Sequence, residues 1–363
     1  MIGISIVVPI SGRTFYLKQL LESFQLSIKP DIPTELLIID NSRNEQHSIL
    51  IKELTRQFNV EYHLTERGVV RARNHGATQA KYDYLLFIDS DCTLDRNILV
   101  EYEKSIGTEK INCSAGKTIF SGQESIWWRL LKDSHYLFPF KWCEWNIRLL
   151  WAPMSNFLVK KDIFYSVGGF NSVLSPREAS EDVDFGIRLS NSGYTISRSP
   201  GCIVYHTTDT WNRLSSIVER FFRFGRGEAR LIQLHKKYRL GLPSLAKFVS
   251  VALILLLVSV LMGFKTLSKA LVLSIPIALI TNMTVAWIQK PKILRSLPRF
   301  FFMKLIEFLY DSGKSFQALK EGKFLTFKFF AFSNESYVSQ WEDNIILFYT
   351  YLLTIIITIC LYV

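Results

Sequence analysis

Two carboxylates that follow an apolar run are the residues of this sequence best suited to chemistry. The run Tyr84-Leu85-Leu86-Phe87-Ile88 leads into Asp89-Ser90-Asp91, and its length and composition are typical of a buried strand. Such a strand ends at the carboxyl edge of its sheet, where open α/β folds bind ligands. Alternation along an extended segment points Asp89 and Asp91 the same way, so that they could share one divalent cation. Carboxylates suit Mg²⁺ or Mn²⁺, which usually complete their coordination with substrate phosphates.

Taken alone, this Asp-x-Asp pattern is more typical of a solvated acidic turn, because Asp and Ser favour turns. The neighbouring elements favour the ligand-binding interpretation. Apolar runs predict strands at Ser5–Val8, Glu35–Asp40, Val60–Leu64 and Tyr84–Asp89, with helices between them. This order predicts a mainly parallel α/β sheet with right-handed crossovers. Two of these predicted strands end in Asp, at Asp40 and Asp89, on the same edge of the sheet. A carboxylate there can accept from a base N–H or a ribose hydroxyl. No Gly-x-Gly-x-x-Gly or Walker sequence is present, so neither a dinucleotide site nor a P-loop is indicated.

The composition changes near residue 235. Residues 1–235 have the composition of a globular domain large enough to bury a substantial core. Residues 236–363 are strongly apolar and predict an α-helical membrane region, with spans at Ala246–Phe264, Leu267–Ile288 and Ile345–Val363. Each of these segments is close to the ~20 residues that cross a bilayer. A buried core helix can reach this length, but three such segments in the C-terminal third favour membrane spans.

Basic residues orient these predicted spans. Lysines and arginines precede the first span and follow the second, whereas the tip between them offers only Lys265 and Lys269. The positive-inside rule therefore places residues 1–235 and the segment 290–340 in the cytoplasm of a multi-pass cell-membrane protein. We see no signal peptide at the start of the sequence. The five cysteines contain no Cys-x-x-Cys pair and are interpreted as reduced thiols.

The segment between the second and third spans is amphipathic. In Phe300–Tyr310 and the residues just after it, Lys304, Glu307, Asp311 and Lys314 fall on one helical stripe with aromatic residues around the rest. This pattern is typical of a helix that lies in the membrane interface, and the aromatic run Phe324–Phe332 has a similar composition. We therefore expect interfacial helices over about residues 297–332. The net charge of +11 is explained by an anionic leaflet and a phosphorylated substrate, without nucleic acid as a partner.

A set of motifs in the first 210 residues occurs in an order that is more specific than any one of them. They are Ile6-Val7-Val8-Pro9, Leu37-Ile38-Ile39-Asp40-Asn41-Ser42, Gly68-x-x-x-Ala72-Arg73-Asn74, Tyr84–Asp91, Gly168-Gly169-Phe170, Glu181-Asp182-x-Asp184 and Gly193-Tyr194. Over about residues 4–210 the chain resembles a family 2 glycosyltransferase with the Rossmann-like GT-A fold. The predicted spans more loosely resemble those of family members that act on lipid-linked or surface glycans.

The resemblance implies a role for each matching residue. Nucleotide or substrate contacts are implied for Pro9, Asp40, Arg73, Asp89, Asn156, Glu181 and Arg223, with Asp40 at the base. Asp89 and Asp91 would bind the ribose and a Mg²⁺ or Mn²⁺ ion on the diphosphate, with His206 as a third metal ligand. An isolated histidine at a strand end is otherwise more often structural.

Asp182 would be the general base that takes the proton of the acceptor hydroxyl, which implies inversion at the anomeric carbon. Locally, Glu181 and Asp182 also fit a simple helix start, since Ser180 is a good N-cap and acids are favoured in the first turn.

Two aromatic or basic segments remain open to alternatives. Arg220-Phe221-Phe222-Arg223-Phe224 approximates the Gln/Arg-x-x-Arg-Trp sequence of processive polysaccharide synthases, with Phe in place of Trp. The arginines of this segment fit either a headgroup-facing stripe or a contact with the diphosphate. The tryptophan-rich segment 126–151 fits either sugar stacking or the bilayer interface, near the acceptor in both cases.

Three functions are compatible with these patterns. The first is a membrane-anchored, inverting glycosyltransferase that moves a sugar from a nucleotide-sugar donor, expected to be a UDP-sugar, to a lipid-linked or cell-envelope glycan. The second is a processive polysaccharide synthase, which the altered Trp and the few spans disfavour. The third is a catalytically silent nucleotide-binding scaffold, which the complete set of carboxylates disfavours.

Overall fold

The computed structural model describes residues 1–109, 111–145, 149–174, 180–235, 239–240, 244–289, 296–323, 328–329 and 338–362. These residues form two compact units, Met1–Arg213 and Leu214–Val363. The boundary between the two packed units therefore lies before the helix Leu214–Leu234, whereas the composition of the sequence predicts a domain boundary near residue 235. The difference arises because this helix packs along a helix of the second unit (Leu297–Lys320), although its own composition resembles that of a soluble domain.

The first unit is built on an eight-stranded mixed sheet. Its strands are β1 (Ile4–Ile10), β2 (Thr34–Asp40), β3 (Glu61–Leu64), β4 (Tyr84–Ile88), β5 (Cys92–Leu94), β6 (Cys113–Ser121), β7 (Asn156–Lys160) and β8 (Ile196–Thr207). Their spatial order is β3-β2-β1-β4-β7-β6-β8-β5. The pairs β3–β2, β2–β1, β1–β4 and β6–β8 are parallel, while β7 and β5 pair antiparallel with their neighbours. The α/β sheet predicted from sequence is confirmed, and it is consistent with the expected GT-A fold.

Helices cover both faces of this sheet. They are α1 (Thr14–Leu26), α2 (Glu45–Gln57), α3 (Val69–Gln79), α4 (Ile98–Glu109), α5 (Ile126–Leu131), α6 (Trp142–Trp145), α7 (Lys161–Ser166) and α8 (Glu181–Asn191). One apolar core lies between the sheet and α1 and α4, and the other lies between the sheet and α3, α7 and α8. Burial on both sides explains why β1 and β4 are apolar at almost every position.

The second unit contains α9 (Leu214–Leu234), α10 (Leu245–Leu261), α11 (Lys265–Gln289), α12 (Leu297–Lys320) and α13 (Val338–Tyr362). The strands β9 (Arg239–Leu240) and β10 (Lys328–Phe329) form a short antiparallel pair. Helices lie at all three predicted span positions. Among the described helices, one, Lys265–Ile288 of α11, has the length and composition needed to cross a membrane. The apolar helices Leu245–Leu261 and Ile346–Thr358 are shorter.

Helix α12 packs against α9 through a polar stripe. Lys314 donates to Glu228 at 3.1 Å, and the Nε of Arg226 donates to Gln317 at 3.0 Å. Of the stripe that was expected to face a membrane interface, Lys314 therefore has a partner on α9, while Lys304 pairs with Glu307 on α12 itself. An amphipathic stripe alone does not distinguish lipid headgroups from a second polar helix face. Of the other expected interfacial segment, residues 328–329 form β10, and 324–327 and 330–332 lie outside the described residues.

Two glycines set the distance between these helices. A Cβ added to Gly225 would lie 1.8 Å from the carbonyl oxygen of Tyr310, and one added to Gly313 would lie 1.9 Å from that of Phe222. The helices thus meet backbone to backbone, a separation that any side chain at these positions would prevent.

We expect Gly225→Ala to destabilise the second unit, because the new methyl group must push apart two helix backbones. Overpacking of this kind typically costs about 1–3 kcal/mol. The check is thermal unfolding of the full-length protein in detergent. Gly107→Ala on α4 is the matched control, since a Cβ there meets nothing within 4 Å, and helical Gly→Ala changes are expected to stabilise by ~0.4–1 kcal/mol. Equal melting of Gly225→Ala and the parent protein would contradict the close crossing.

Candidate active site

Two strand-end carboxylates lie at the same edge of the sheet. Asp40 is the last residue of β2 and Asp89 follows the last residue of β4, and both strands run parallel to β1 between them. Asp40 is fully buried, and its oxygens accept from the backbone N–H of Ser42 at 2.8 Å and the hydroxyl of Tyr62 at 3.0 Å. Loss of hydration, with the Asp40 charge, raises the pKa of Tyr62 to about 12. Asp40 is therefore held rigidly, and its contact with a nucleotide base stays a prediction.

Arg73 connects the two acidic motifs. Its side chain is only 4% exposed, and the guanidinium donates to Glu181 at 2.7 Å and to Asp89 at 2.9 Å. Burial alone would lower the pKa of Arg73, but these two carboxylates raise it above its ordinary value. One fixed positive charge thus joins α3, the end of β4 and the start of α8. The sequence placed Arg73 at the nucleotide and did not reveal that it bridges the two motifs.

The Gly168-Gly169-Phe170 motif contacts Arg73 and the residue after it. The side chain of Asn74 donates to the carbonyl of Phe170 at 2.8 Å and accepts from its N–H at 2.9 Å. Arg73 lies over the Phe170 ring at 5.6 Å. Gly169 has a φ of +61°, and a Cβ there would lie 3.0 Å from the Asn74 oxygen. The turn therefore requires glycine, and it fixes α3 next to the reactive edge.

Asp182 lies in the first turn of α8, one residue after Glu181. Its carboxylate accepts from the N–H of Val183 at 2.8 Å. Loss of hydration, followed by repulsion from Glu181, raises the pKa of Asp182 to about 7. A carboxyl group with a pKa near neutrality suits general-base chemistry. Ser180 makes no side-chain capping hydrogen bond among the described residues, so the simple helix-cap interpretation loses its main support.

A second anchor holds α8 in place and was not found from the sequence. Arg188 donates to the buried carboxylate of Asp184 through Nε at 2.9 Å and through Nη2 at 2.7 Å. Its remaining Nη1 donates to the carbonyl of Val167 at 2.5 Å, just before the glycine turn. The i,i+4 spacing of Asp184 and Arg188 on α8 was the available signal.

Asp91, Cys92 and His206 bring one ligand atom each to within 4.8 Å of one another. The Nε2 of His206 lies 3.4 Å from an Asp91 oxygen. Its Nδ1 lies 2.8 Å from the carbonyl of Thr207, which can only accept, so Nδ1 carries the proton and Nε2 is available as a ligand. The oxygen and nitrogen donors of Asp91 and His206 fit a divalent cation.

Asp89 has a different partner. The strand ends at Ile88, and Asp89-Ser90-Asp91 forms a turn, so strand alternation does not align the two carboxylates as expected. Asp89 pairs with Arg73, whereas Asp91 accepts from Arg13 at 3.1 Å. The role of Asp89 as a metal ligand stays a prediction. Arg13 was also missed, although it ends the loop after β1.

Aromatic side chains enclose His206. The Phe120 ring lies 5.1 Å from the imidazole, Phe140 lies at 6.4 Å, and Trp128 and Trp211 pack on Phe120. In the tryptophan-rich segment, Trp128 and Trp142 are buried, while Trp145 is 54% exposed. Two of these rings therefore serve as core, and an acceptor role can apply only to the exposed ones.

The remaining predicted residues lie in different places. Pro9 is a buried position of β1, opposite Ile39. Asn156 is buried; it accepts from the Tyr102 hydroxyl at 2.7 Å and donates to the carbonyls of Lys117 and Cys202. Arg223 belongs to α9, and its Nε has no hydrogen-bond partner among the described residues. Their substrate contacts stay predictions.

Comparison with known proteins gives one family match. The model of the family described as "Glycosyl transferase family 2" matches residues 5–168. No curated protein matches the chain.

Solved structures with related folds include the mannosyltransferase PcManGT from Pyrobaculum calidifontis with GDP-Man and Mn²⁺ (TM-score 0.48, 14% identity, 63% of this chain and 64% of that chain). GalNAc-T7 with UDP, GalNAc and Mn²⁺ gives a TM-score of 0.46 at 16% identity, over 61% of this chain and 47% of that one. TarS from S. aureus gives a TM-score of 0.42 at 17% identity, over 65% of this chain and 44% of that one. The chain thus spans less than two thirds of the length of each of these structures.

Proposed function

We propose, from the match of the family 2 glycosyltransferase model to residues 5–168, that the protein is a membrane-anchored, inverting glycosyltransferase. The donor is a nucleotide sugar, and the acceptor is a lipid-linked or cell-envelope glycan. The observation that carries the proposal is the Arg73 bridge between Glu181 and Asp89. It keeps the candidate base, next to Glu181, at a fixed position relative to the strand-end carboxylates.

The acidic edge supports donor binding. In this proposal Asp40 would accept from the base and Asp89 from the ribose of a nucleoside diphosphate. A Mg²⁺ or Mn²⁺ ion held by Asp91 and His206 would neutralise the charge that develops on the departing diphosphate. Arg13, next to Asp91, adds a positive charge on the same side.

The raised pKa of Asp182 supports its role as the base. Near neutral pH a substantial fraction of Asp182 is ionised, yet the carboxylate remains basic enough to accept the proton of an acceptor hydroxyl. Attack by that oxygen on the face opposite the leaving diphosphate gives the inverted linkage.

The second unit supports membrane anchoring. The 24 residues of Lys265–Ile288 span about 36 Å at 1.5 Å per residue, enough for the ~30 Å hydrocarbon core. Large apolar side chains are exposed on α10 and α11, among them Leu257, Leu261 and Ile280. Thr281 and Asn282 of α11 lie within hydrogen-bond distance of Thr354 and Thr350 of α13. We propose that α10 and α13 accompany α11 through the membrane in a multi-pass arrangement, with the catalytic unit in the cytoplasm.

A panel of UDP- and GDP-sugars, assayed for Mn²⁺-dependent donor hydrolysis by the full-length protein, tests the function. Hydrolysis of at least one donor that stops with EDTA is expected. No metal-dependent turnover of any donor would contradict the proposal and favour a silent scaffold. Product length with the active donor then separates single transfer from processive synthesis.

Topology is tested separately with reporters. We expect a reporter fused after Val363 to lie outside and one inserted near Lys323 to lie inside, because no charge between Ile345 and Val363 retains the C-terminus in the cytoplasm. Protease protection of each fusion in sealed vesicles measures this. Both reporters on one side would mean that α13 does not cross the membrane.

A further inference from the structure

Cys92 lies directly opposite His206 in the sheet. Strand β5 pairs antiparallel with β8, and the register places these two residues against each other. Directly opposed side chains leave the sheet on the same face, with Cβ atoms about 4.5–5.5 Å apart. Strand geometry therefore points the thiol and the imidazole into the same space, next to Asp91.

The three donors form a set that differs from the one the proposed function needs. Asp91 and His206 offer oxygen and nitrogen, and Cys92 is a free cysteine that adds sulfur. Oxygen with nitrogen suits Mg²⁺ or Mn²⁺, whereas the addition of a thiolate favours softer ions.

We propose that Asp91, Cys92 and His206 form a site for a thiophilic divalent cation, Zn²⁺ or Cd²⁺, that excludes the catalytic ion. Donors around tetrahedral Zn²⁺ lie about 3.5 Å apart, given bonds of about 2.0–2.3 Å. The Asp91–His206 separation of 3.4 Å already fits. The sulfur lies within 4.8 Å of both partners, so that a shift of at most about 1 Å brings it to this spacing. A fourth position is left for water.

Metal binding exchanges the thiol proton for the ion and involves no change of oxidation state. The sulfur–metal bond forms as the S–H bond breaks, and the proton leaves to solvent. The ion takes both ligands that the proposed function assigns to Mg²⁺ or Mn²⁺. The two ions therefore compete, and a thiophilic ion inhibits transfer. Only this inhibition rests on the proposed function; the binding itself does not.

The experiment is a Cd²⁺ titration of the donor-free, full-length protein. The ultraviolet charge-transfer band of cadmium thiolate is measured at each Cd²⁺ concentration. We expect a band that saturates at one Cd²⁺ per chain, is absent with Mn²⁺, and is lost in Cys92→Ser. Cys202→Ser is the matched control, because Cys202 is equally buried in the same apolar core, yet it lies outside the metal cluster and should keep the band. Absence of the band in the parent protein, or its retention in Cys92→Ser, would overturn the proposal.

A second measurement uses the parent protein alone, so that it decides even if Cys92→Ser does not fold. The Cd²⁺-saturated protein is expected to bind no Mn²⁺, because both ions need Asp91 and His206. Mn²⁺ binding that Cd²⁺ leaves unchanged would show a separate site and overturn the proposal. Failure of donor hydrolysis with a normal Cd²⁺ band would instead contradict the proposed function alone.

Discussion

Asp182→Asn is expected to bind the donor normally and to lose most of its turnover, by about 10²–10⁴-fold, the usual cost of removing a general base. Asn keeps the shape and still accepts the Val183 N–H bond, but it cannot take the acceptor's proton. Single-turnover rates and donor affinity, measured separately, check this. The product should have the anomeric configuration opposite to that of the donor.

Asp162→Asn is the matched control. Asp162 also lies in the first turn of a helix and accepts the N–H of the next residue, at 2.7 Å, but it is exposed and pairs with Lys160. Its replacement should leave turnover unchanged. Near-normal turnover in Asp182→Asn, or a retained configuration, would place the base elsewhere.

The same variant predicts a pH profile. The base must be deprotonated to act, and the pKa of Asp182 is raised to about 7. The rate of the parent protein should therefore increase as pH rises through about 7 and level off above it. In Asp182→Asn this rising limb should disappear from the residual rate. If the Asp182→Asn variant kept the rising limb at the same pH, the limb would have to come from the titration of another group.

Asp91→Asn is expected to abolish transfer and to weaken nucleotide-sugar binding in the presence of Mn²⁺. The change removes an anionic ligand from an ion that contributes several kcal/mol to the transition state. At about 1.4 kcal/mol per tenfold, the loss is ~10²-fold or more. Mn²⁺ binding by the donor-free protein should weaken in parallel, which calorimetry measures.

Asp83→Asn tests whether the loss is specific to the metal edge. Asp83 is a half-buried carboxylate that pairs with the N-terminal amine and precedes β4, so its replacement should change neither metal nor donor affinity. Asp89→Asn should also abolish transfer, with an added loss of stability, because it leaves the buried Arg73 with one carboxylate fewer. Full activity of the parent protein after EDTA treatment would contradict the metal role.

The sequence was informative where local chemistry determines structure. Apolar runs that end in Asp predicted β2 and β4 and the shared edge of Asp40 and Asp89. Long-range partners were not predictable in this way. Glu181 lies 108 positions after Arg73, and nothing in either motif specifies the other. The turn at Asp89-Ser90-Asp91 likewise depends on the start of β5, a strand of three residues.

Cys92 and Arg13 show a second limit. Both adjoin recognised motifs, but their relevance depends on cross-strand register and on the path of the loop after β1. The polar stripe of α12 shows a third limit, since the charge of Lys314 fits a lipid headgroup and Glu228 of α9 equally well. In each case the residue type was visible and its partner was not.

The crossing at Gly225 and Gly313 has a consequence for motion. Where backbone touches backbone, no side chain can change rotamer to absorb a displacement. Helices α9 and α12 therefore cannot slide in small steps; they move as one rigid rod or separate altogether. Amide protons on either side of the crossing should then exchange with a common rate, because a single opening event exposes both helices.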